Sequence, residues 1–369
     1  MCANDACREP CASDRDCAAG SLCYAATGCI LLEGYPLPDG EVVRRELDGV
    51  FEAMEVGGEW LYLLGSTSES PLDYGVLTAR LDGGKGAGAL RPVPRAPGVG
   101  TKDASRPAIA VKKGKLFFLD GVGRASVVAS PPDGAAAPLE GGPFQRMLPS
   151  ASPDVVAFGA VEGNRFMVRA FATETGRAMG PAREIAGAVG TQAVATKTGV
   201  VAMVELASFP RRWDLTLTDY TTGEVRAFGF EALMFDGAYP LTNTSADGFW
   251  SSGDWLVRRD PIGGTLGILD LSRPSTPERT LAPAPFRFVV AEDAALAAAR
   301  SPRGVDLVRT TIPDGKATTI GWLKTKLSEA KHGPFVAVDG RSAYVSDLES
   351  LRLTSLTPYG RGAVYRYRF

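Results

Sequence analysis

The chain has 369 residues, with 40 Lys and Arg against 42 Asp and Glu and a single histidine. That balance, with no basic stripe, speaks against nucleic acid as a partner. The lone His332, in a turn-like Lys331-His332-Gly333 stretch, leaves Ser/His/Asp or Cys/His catalysis without support and reads as a surface histidine. No run of about eighteen apolar residues offers a membrane span.

The first element is a head that carries all six cysteines, Cys2, Cys7, Cys11, Cys17, Cys23 and Cys29, while the rest of the chain has none. Small and polar residues separate them, and a segment of about thirty residues buries too little surface to offset its chain entropy without staples. Structural zinc brings its ligands in close pairs such as C-x2-C, often completed by His; here no two cysteines are that close and His332 is remote. Disulfides are the favoured staple, each contributing about 2–4 kcal/mol by restricting the unfolded chain, and they imply an oxidising compartment. Cys2 follows Met1 with no charged or apolar leader, which reads as a mature sequence with a start codon added. Cys2 is then a candidate lipid attachment site, the alternative being a bridge to Cys7. Acylation would leave an odd number of thiols, Cys7, Cys11, Cys17, Cys23 and Cys29, and would be the one route to a membrane.

The stretch Cys11-Ala-Ser-Asp-Arg-Asp-Cys17-Ala-Ala-Gly-Ser-Leu-Cys23-Tyr-Ala-Ala-Thr-Gly-Cys29 resembles the short cysteine-rich, Dickkopf-N-like module near the N-terminus of exported bacterial lipoproteins. The resemblance implies an envelope address in a Gram-negative bacterium (extracellular, cell-surface or periplasmic, or an outer-membrane lipoprotein) and no activity. Pairing in such modules alternates, which would join Cys11 to Cys23 and Cys17 to Cys29; spacing alone does not fix the connectivity.

Residues 1–33 are thus read as a disulfide-rich module and 34–40 (Gly34-Tyr-Pro-Leu-Pro-Asp-Gly40) as a hinge. In 41–369 short apolar runs alternate with turn residues, and 43 Gly and 26 Pro argue against long helices. Taking Leu61, Leu116, Val155, Val200, Phe249, Leu296 and Tyr344 as equivalent, the gaps are 55, 39, 45, 49, 47 and 48 residues. A recurrence in the forties with several strands per unit marks β-propeller blades. The residues after Tyr344 and those between Gly40 and Leu61 together supply one further period, so 41–47 is expected to pair with the C-terminal blade and cover its edge. The expected fold is all-β, a seven-bladed β-propeller behind the small head. The alternative is a β-sandwich pair or two smaller all-β domains, which the continuous rather than alternating apolar runs suit less well. In blade five Phe249-Trp250 and Trp255-Leu256-Val257 compete for the second strand.

Motifs that carry chemistry are scarce. G-x-S-x-G, H-E-x-x-H and an EF-hand loop are missing, and the glycine run Asp82–Gly88 lacks the G-K-[ST] ending of a phosphate loop. Ser245-Ala-Asp-Gly-Phe-Trp250 is one residue short of the sialidase Asp-box, a structural turn, and the Asn243-Thr-Ser245 sequon needs a eukaryotic host. No catalytic, cofactor-binding or metal-binding residue is assigned and no cofactor is called for. Arg211, Arg212, Trp213, Trp250 and Trp255 are candidate ligand-contact residues in loops, since Arg and aromatic side chains dominate recognition surfaces; the alternative places the tryptophans between blades. The expected function is a non-catalytic, secreted or envelope-anchored propeller acting as a protein-interaction or scaffold subunit with other envelope proteins. A glycan hydrolase or lyase, or a lectin-like carbohydrate binder, is the alternative.

Overall fold

A computed structural model describes residues 2–3, 6–7, 21–24, 28–31, 41–66, 74–81, 90–93, 105–129, 131, 134–186, 188–208, 211–228, 232–233, 249–259, 266–273, 279–282, 287–291, 293–301, 304–312, 314–323, 335–346 and 360–369. His332, Asn243, Cys11, Cys17, the hinge 34–40 and the glycine run 82–88 lie outside them. Every regular element among the described residues is a strand, and no helix there is long and apolar enough to cross a membrane. In the head, Cys2–Ala3 pairs with Ala6–Cys7 and Ser21–Tyr24 with Gly28–Leu31, a register that sets Cys2 opposite Cys7 and Cys23 opposite Cys29.

The body is a seven-bladed β-propeller. Its antiparallel sheets follow one another along the chain, and within sheets II to VI the first four strands lie in sequence order. Sheet II has Ala108–Lys112, Lys115–Leu119, Ala125–Val128 and Ala136–Pro138. Sheet III has Arg146–Leu148, Val155–Glu162, Arg165–Ala172 and Arg183–Ile185. Sheet IV has Ala188–Ala195, Gly199–Ser208, Arg211–Asp219 and Val225–Ala227, with Ala232–Leu233 also on its third strand. Sheet V has Phe249–Ser252, Trp255–Arg259, Leu266–Asp270 and Arg279–Ala282. Sheet VI has Arg287–Ala291, Ala294–Ser301, Gly304–Thr311 and Ala317–Leu323.

Sheets I and VII share one strand. The 17-residue Glu41–Gly57 uses Glu41–Gly49 to pair with Gly360–Arg366 as the fourth strand of sheet VII, beside Phe335–Asp339 and Ser342–Ser346. Its second half, Val50–Gly57, is the first strand of sheet I, ahead of Trp60–Ser66, Tyr74–Arg80 and Leu90–Pro92.

The chain forms two compact units: Met1–Arg91 with Ala298–Val308 and Thr318–Phe369, and Pro92–Ala297 with Arg309–Ala317. In the first unit Leu61, Leu63 and Leu77 of sheet I pack with Ala337, Tyr344 and Val364 of sheet VII, and the Gly58 N–H donates to Asp339 Oδ2 at 2.9 Å. In the second unit a separate apolar cluster fills each space between neighbouring sheets. Phe117, Phe144, Phe158 and Phe171 lie between II and III, Phe166, Val168, Val200 and Tyr220 between III and IV, Val201, Leu215 and Leu256 between IV and V, and Ile268, Phe288 and Ala295 between V and VI. Sheets III, IV and V are therefore apolar on both faces, and burial runs unbroken along second strands such as Trp60–Ser66 and Lys115–Leu119.

One hydrogen bond recurs in six blades. The residue after the third strand donates its N–H to the residue before the second, as Leu81 to Glu59, Thr173 to Asp154, Tyr220 to Thr198, Leu271 to Asp254, Ile312 to Asp293 and Phe369 to Arg341, at 2.7–3.1 Å. The turn after the third strand repeats as well: Gly176, Gly223 and Gly315 have φ of 69°, 75° and 73° and donate to Ala172, Asp219 and Thr311. That left-handed conformation is one that glycine adopts at no steric cost.

Blade five corrects the sequence reading. Phe249 lies in the first strand of sheet V, and Leu256, in Trp255–Arg259, holds the position equivalent to Val200. The reason is the tight Gly253-Asp254 turn, with Gly253 at φ 55°, which splits the two apolar runs into hairpin partners.

Candidate functional site

Because strand direction alternates, the turns after the first and third strands of a sheet lie at one end, here the turn end. The turn after the second strand and the crossing to the next sheet lie at the other, the crossing end. The two ends of the second unit differ.

At the turn end most first turns are two residues long, but sheet III has six, Pro149-Ser150-Ala151-Ser152-Pro153-Asp154. This crosspiece bonds to four successive sheets. Lys112 Nζ of sheet II donates to the Ser150 carbonyl at 2.6 Å, the Ala195 N–H of sheet IV donates to the Pro149 carbonyl at 2.9 Å, and the Ala151 N–H donates to Ser251 of sheet V at 3.3 Å. Ser251, buried, donates its hydroxyl to the Ala195 carbonyl at 2.6 Å, which joins sheets IV and V directly. Within sheet III the buried Thr173 hydroxyl donates to the Pro153 carbonyl at 2.7 Å.

Asp154 closes the crosspiece with Lys113 Nζ at 2.6 Å and Lys197 Nζ at 3.5 Å. The hydrogen bond from Lys113, foremost, with the charges of both lysines, holds its carboxyl below the usual carboxylate range, and the same bond raises the Lys113 ammonium. Nearby, Arg183 donates to the Tyr220 and Thr221 carbonyls across sheets III and IV. Asp219 accepts from the Thr221 and Thr222 N–H groups, which together with the Thr222 hydroxyl lower its pKa. Burial pushes the Tyr220 phenol up.

The crossing end holds short, internally bonded turns with exposed tips. Asp120, buried, accepts from the Val122 and Arg124 N–H groups and from Arg124 Nε at 2.8–3.0 Å, shaping the turn of sheet II. The crossing to sheet III is pinned by Phe144 N–H to the Gly123 carbonyl at 2.9 Å. A Cβ on Gly123 would lie 2.8 Å from the Phe144 oxygen and from Pro143, so glycine alone fits there. Val122 and Val161 are two of the three large apolar residues exposed among the described ones, and Glu140 and Glu162 are exposed beside them.

The sequence-predicted contact residues lie in strands, not loops. Arg211, Arg212 and Trp213 open the third strand of sheet IV, Trp250 pairs with Val257 in the first strand of sheet V, and Trp255 opens the second. The chain reverses at 253–254, and tryptophan's strand preference keeps the indole-bearing residues within the ladders. Trp255 is half-buried against the cluster of Ile268 and Phe288, with the Arg279 guanidinium 5.7 Å from its ring. Strand direction puts Trp213 toward the crossing end and Trp255 at the turn end, so the five residues are not brought together. Among the described residues no three His, Cys, Asp or Glu side chains gather as metal ligands. The crosspiece escaped the sequence reading, although its signal was present: two prolines bracketing Ser-Ala-Ser where most other blades turn in two residues.

No family model matches the chain, and no curated protein does. Among solved structures, the β-propeller domain of the Trilobed protease from Pyrococcus furiosus is similar at a TM-score of 0.51 and 11% identity, over 81% of this chain and 91% of that one. That likeness is one of fold. The Pyrococcus domain is described as having an open velcro topology, whereas here Glu41–Gly49 is bonded to Gly360–Arg366. An acylaminoacyl peptidase (TM-score 0.48, 11% identity, 81% of this chain and 49% of that one) and TolB from Acinetobacter baumannii (0.43, 14%, 73% and 66%) are more distant and carry no argument.

Proposed function

We propose that this chain is a non-catalytic, secreted or envelope-anchored propeller that acts as a protein-interaction or scaffold subunit, with its crossing end as the recognition surface and the cysteine-rich head as its tether. The observation that carries the reading is the asymmetry of the second unit. At the turn end the crosspiece and its lysines are occupied by bonds between sheets and Val225 is the one large apolar residue exposed there among the described ones, while the crossing end presents Val122 and Glu140 between strands and Val161 and Glu162 at the end of a strand. Rigid scaffolds that offer turn side chains bind partners without any catalytic group. The envelope address rests on the cysteine spacing and on the resemblance of Cys11–Cys29 to exported lipoprotein modules; within it Cys2 is the candidate acylation site, and four of the other five cysteines of the head form two disulfides.

Cross-linking in intact envelopes, followed by purification and intact-mass measurement of the N-terminal peptide, tests this. The expected result is a stoichiometric protein partner, an acyl mass on Cys2 and no free thiol beyond one. A chain recovered alone and fully reduced, or one that cleaves glycans, overturns it.

A further inference from the structure

The crossing from sheet II to sheet III carries Glu140-Gly141-Gly142-Pro143, whose paired glycines the reading above leaves unused. Gly141 and Gly142 have φ of 88° and 124°, a backbone that a side chain resists. The segment is fixed at its C-terminal end, where the Phe144 N–H donates to the Gly123 carbonyl at 2.9 Å and the Ser105 hydroxyl donates to the Phe144 carbonyl at 2.5 Å. At Gly141 it lies against a side chain of sheet III. A Cβ there would stand 2.5 Å from Arg169 Nη1, 3.3 Å from its Cδ and 3.4 Å from its Cζ, so the arginine fills the space that any side chain at 141 would need.

Arg169 lies in the third strand of sheet III, opposite Phe158, and is half-buried. Its Nε is buried and has no hydrogen-bond partner. Among the described residues no carboxylate makes an ion pair with it; Glu140, the residue before Gly141, is exposed and unpaired with it. A buried donor left unmet weakens a fold. Packing alone would be served by an apolar residue, as it is by Met147 on the other side of Phe158. Two exposed valines adjoin the segment. Val122 precedes Gly123, whose Cβ would lie 2.8 Å from the Pro143 side chain, and the Val161 N–H donates to Gln145 Oε1 at 3.0 Å.

We infer that Arg169 anchors the recognition surface: the partner protein seats one side-chain carboxylate, of Asp or Glu, on its guanidinium and lays apolar residues of the same segment on Val122 and Val161. This rests on the crossing end being the recognition surface. The planar Nη1 and Nη2 fork matches the two oxygens of one carboxylate, and Gly141 and Gly142 put no side chain over it. The unmet charge of the free chain thus becomes a specific contact in the complex.

Arginine footprinting of the full chain with phenylglyoxal tests this, using the blocked peptide acetyl-Val-Asp-Val-amide as probe and its Asn counterpart as control, with the cross-linked envelope complex as a second sample. The expected result is saturable protection of Arg169 by the Asp peptide, none by the Asn peptide, and protection in the complex, while the exposed Arg177 at the turn end is labelled as before. Arg169→Met keeps the apolar stem and removes the unmet donor, so its Tm should hold or rise while affinity for the Asp peptide falls about tenfold or more. Equal labelling of Arg169 with either peptide, or an Arg169→Met chain that melts earlier and binds the Asp peptide undiminished, overturns the anchor. Arg169 labelled in a complex that protects Glu140 and Glu162 overturns it too and leaves the crossing end as the recognition surface; a complex that protects none of the three overturns both.

Discussion

Replacing Ser251 with alanine probes the crosspiece directly. Its hydroxyl is buried and reaches the Ala195 carbonyl at 2.6 Å, and its own carbonyl receives the Ala151 N–H at 3.3 Å. Removing the hydroxyl forfeits a neutral hydrogen bond worth about 1 kcal/mol net and leaves a buried acceptor unmet, so a total of about 1–2 kcal/mol is expected. The change removes one oxygen, and the cavity contribution is small. Because the bond joins first strands of neighbouring sheets, the effect should be local. Amide hydrogen exchange reads it: the Ala151 and Ala195 N–H groups should exchange about 5–30 times faster, the factor set by 1–2 kcal/mol, while second-strand amides such as Val156 and Phe158 stay protected. Exchange at 151 and 195 unchanged within twofold, or an equal acceleration throughout the unit, would refute the reasoning.

Phe158 is fully buried, with ring centroids of Phe144 and Phe171 at 5.2 and 5.9 Å, so Phe158→Ala should cost about 3–5 kcal/mol in urea unfolding. Asp154 has a depressed carboxyl pKa, so its stabilising contribution is present above the ordinary carboxylate value of about 4 and lost as pH falls through the lower folded value. Protection of the Ala151 and Ala195 amides should therefore drop on acidification in the wild type and respond less to pH in Asp154→Asn, as read by exchange at stepped pH. Gly223→Ala puts a side chain at φ 75°, against Arg183 Nη1 at 2.7 Å, and should cost about 1–2 kcal/mol or more, whereas Gly253→Ala at φ 55°, with open space around it, reports the backbone strain alone in parallel melts.

The sequence carried the blades through second strands such as Leu61–Leu64 and Val155–Phe158, whose unbroken apolar runs follow from burial on both faces of a sheet. It faltered at blade five, where Phe249 and Leu256 are equally apolar and a Gly-Asp turn gives no sign of which strand it follows. The glycines Gly176, Gly223 and Gly315 hold the period better, at 47 residues and then twice 46, because a left-handed turn tolerates little substitution. Candidate contact residues were the least legible part. Tryptophan and arginine suit a binding loop and a packed strand equally well, and Trp255 took the second role beside Arg279.

Carboxyl footprinting of the chain, free and cross-linked to its envelope partner, tests the central claim most directly. Glu140 and Glu162 mark the crossing end, and Glu174 and Glu224 mark the turn end; all four are exposed. Protection of Glu140 and Glu162 on complex formation, with Glu174 and Glu224 labelled as before, is the predicted result. Protection confined to Glu174 and Glu224 would place recognition on the end tied off by the crosspiece and contradict the account.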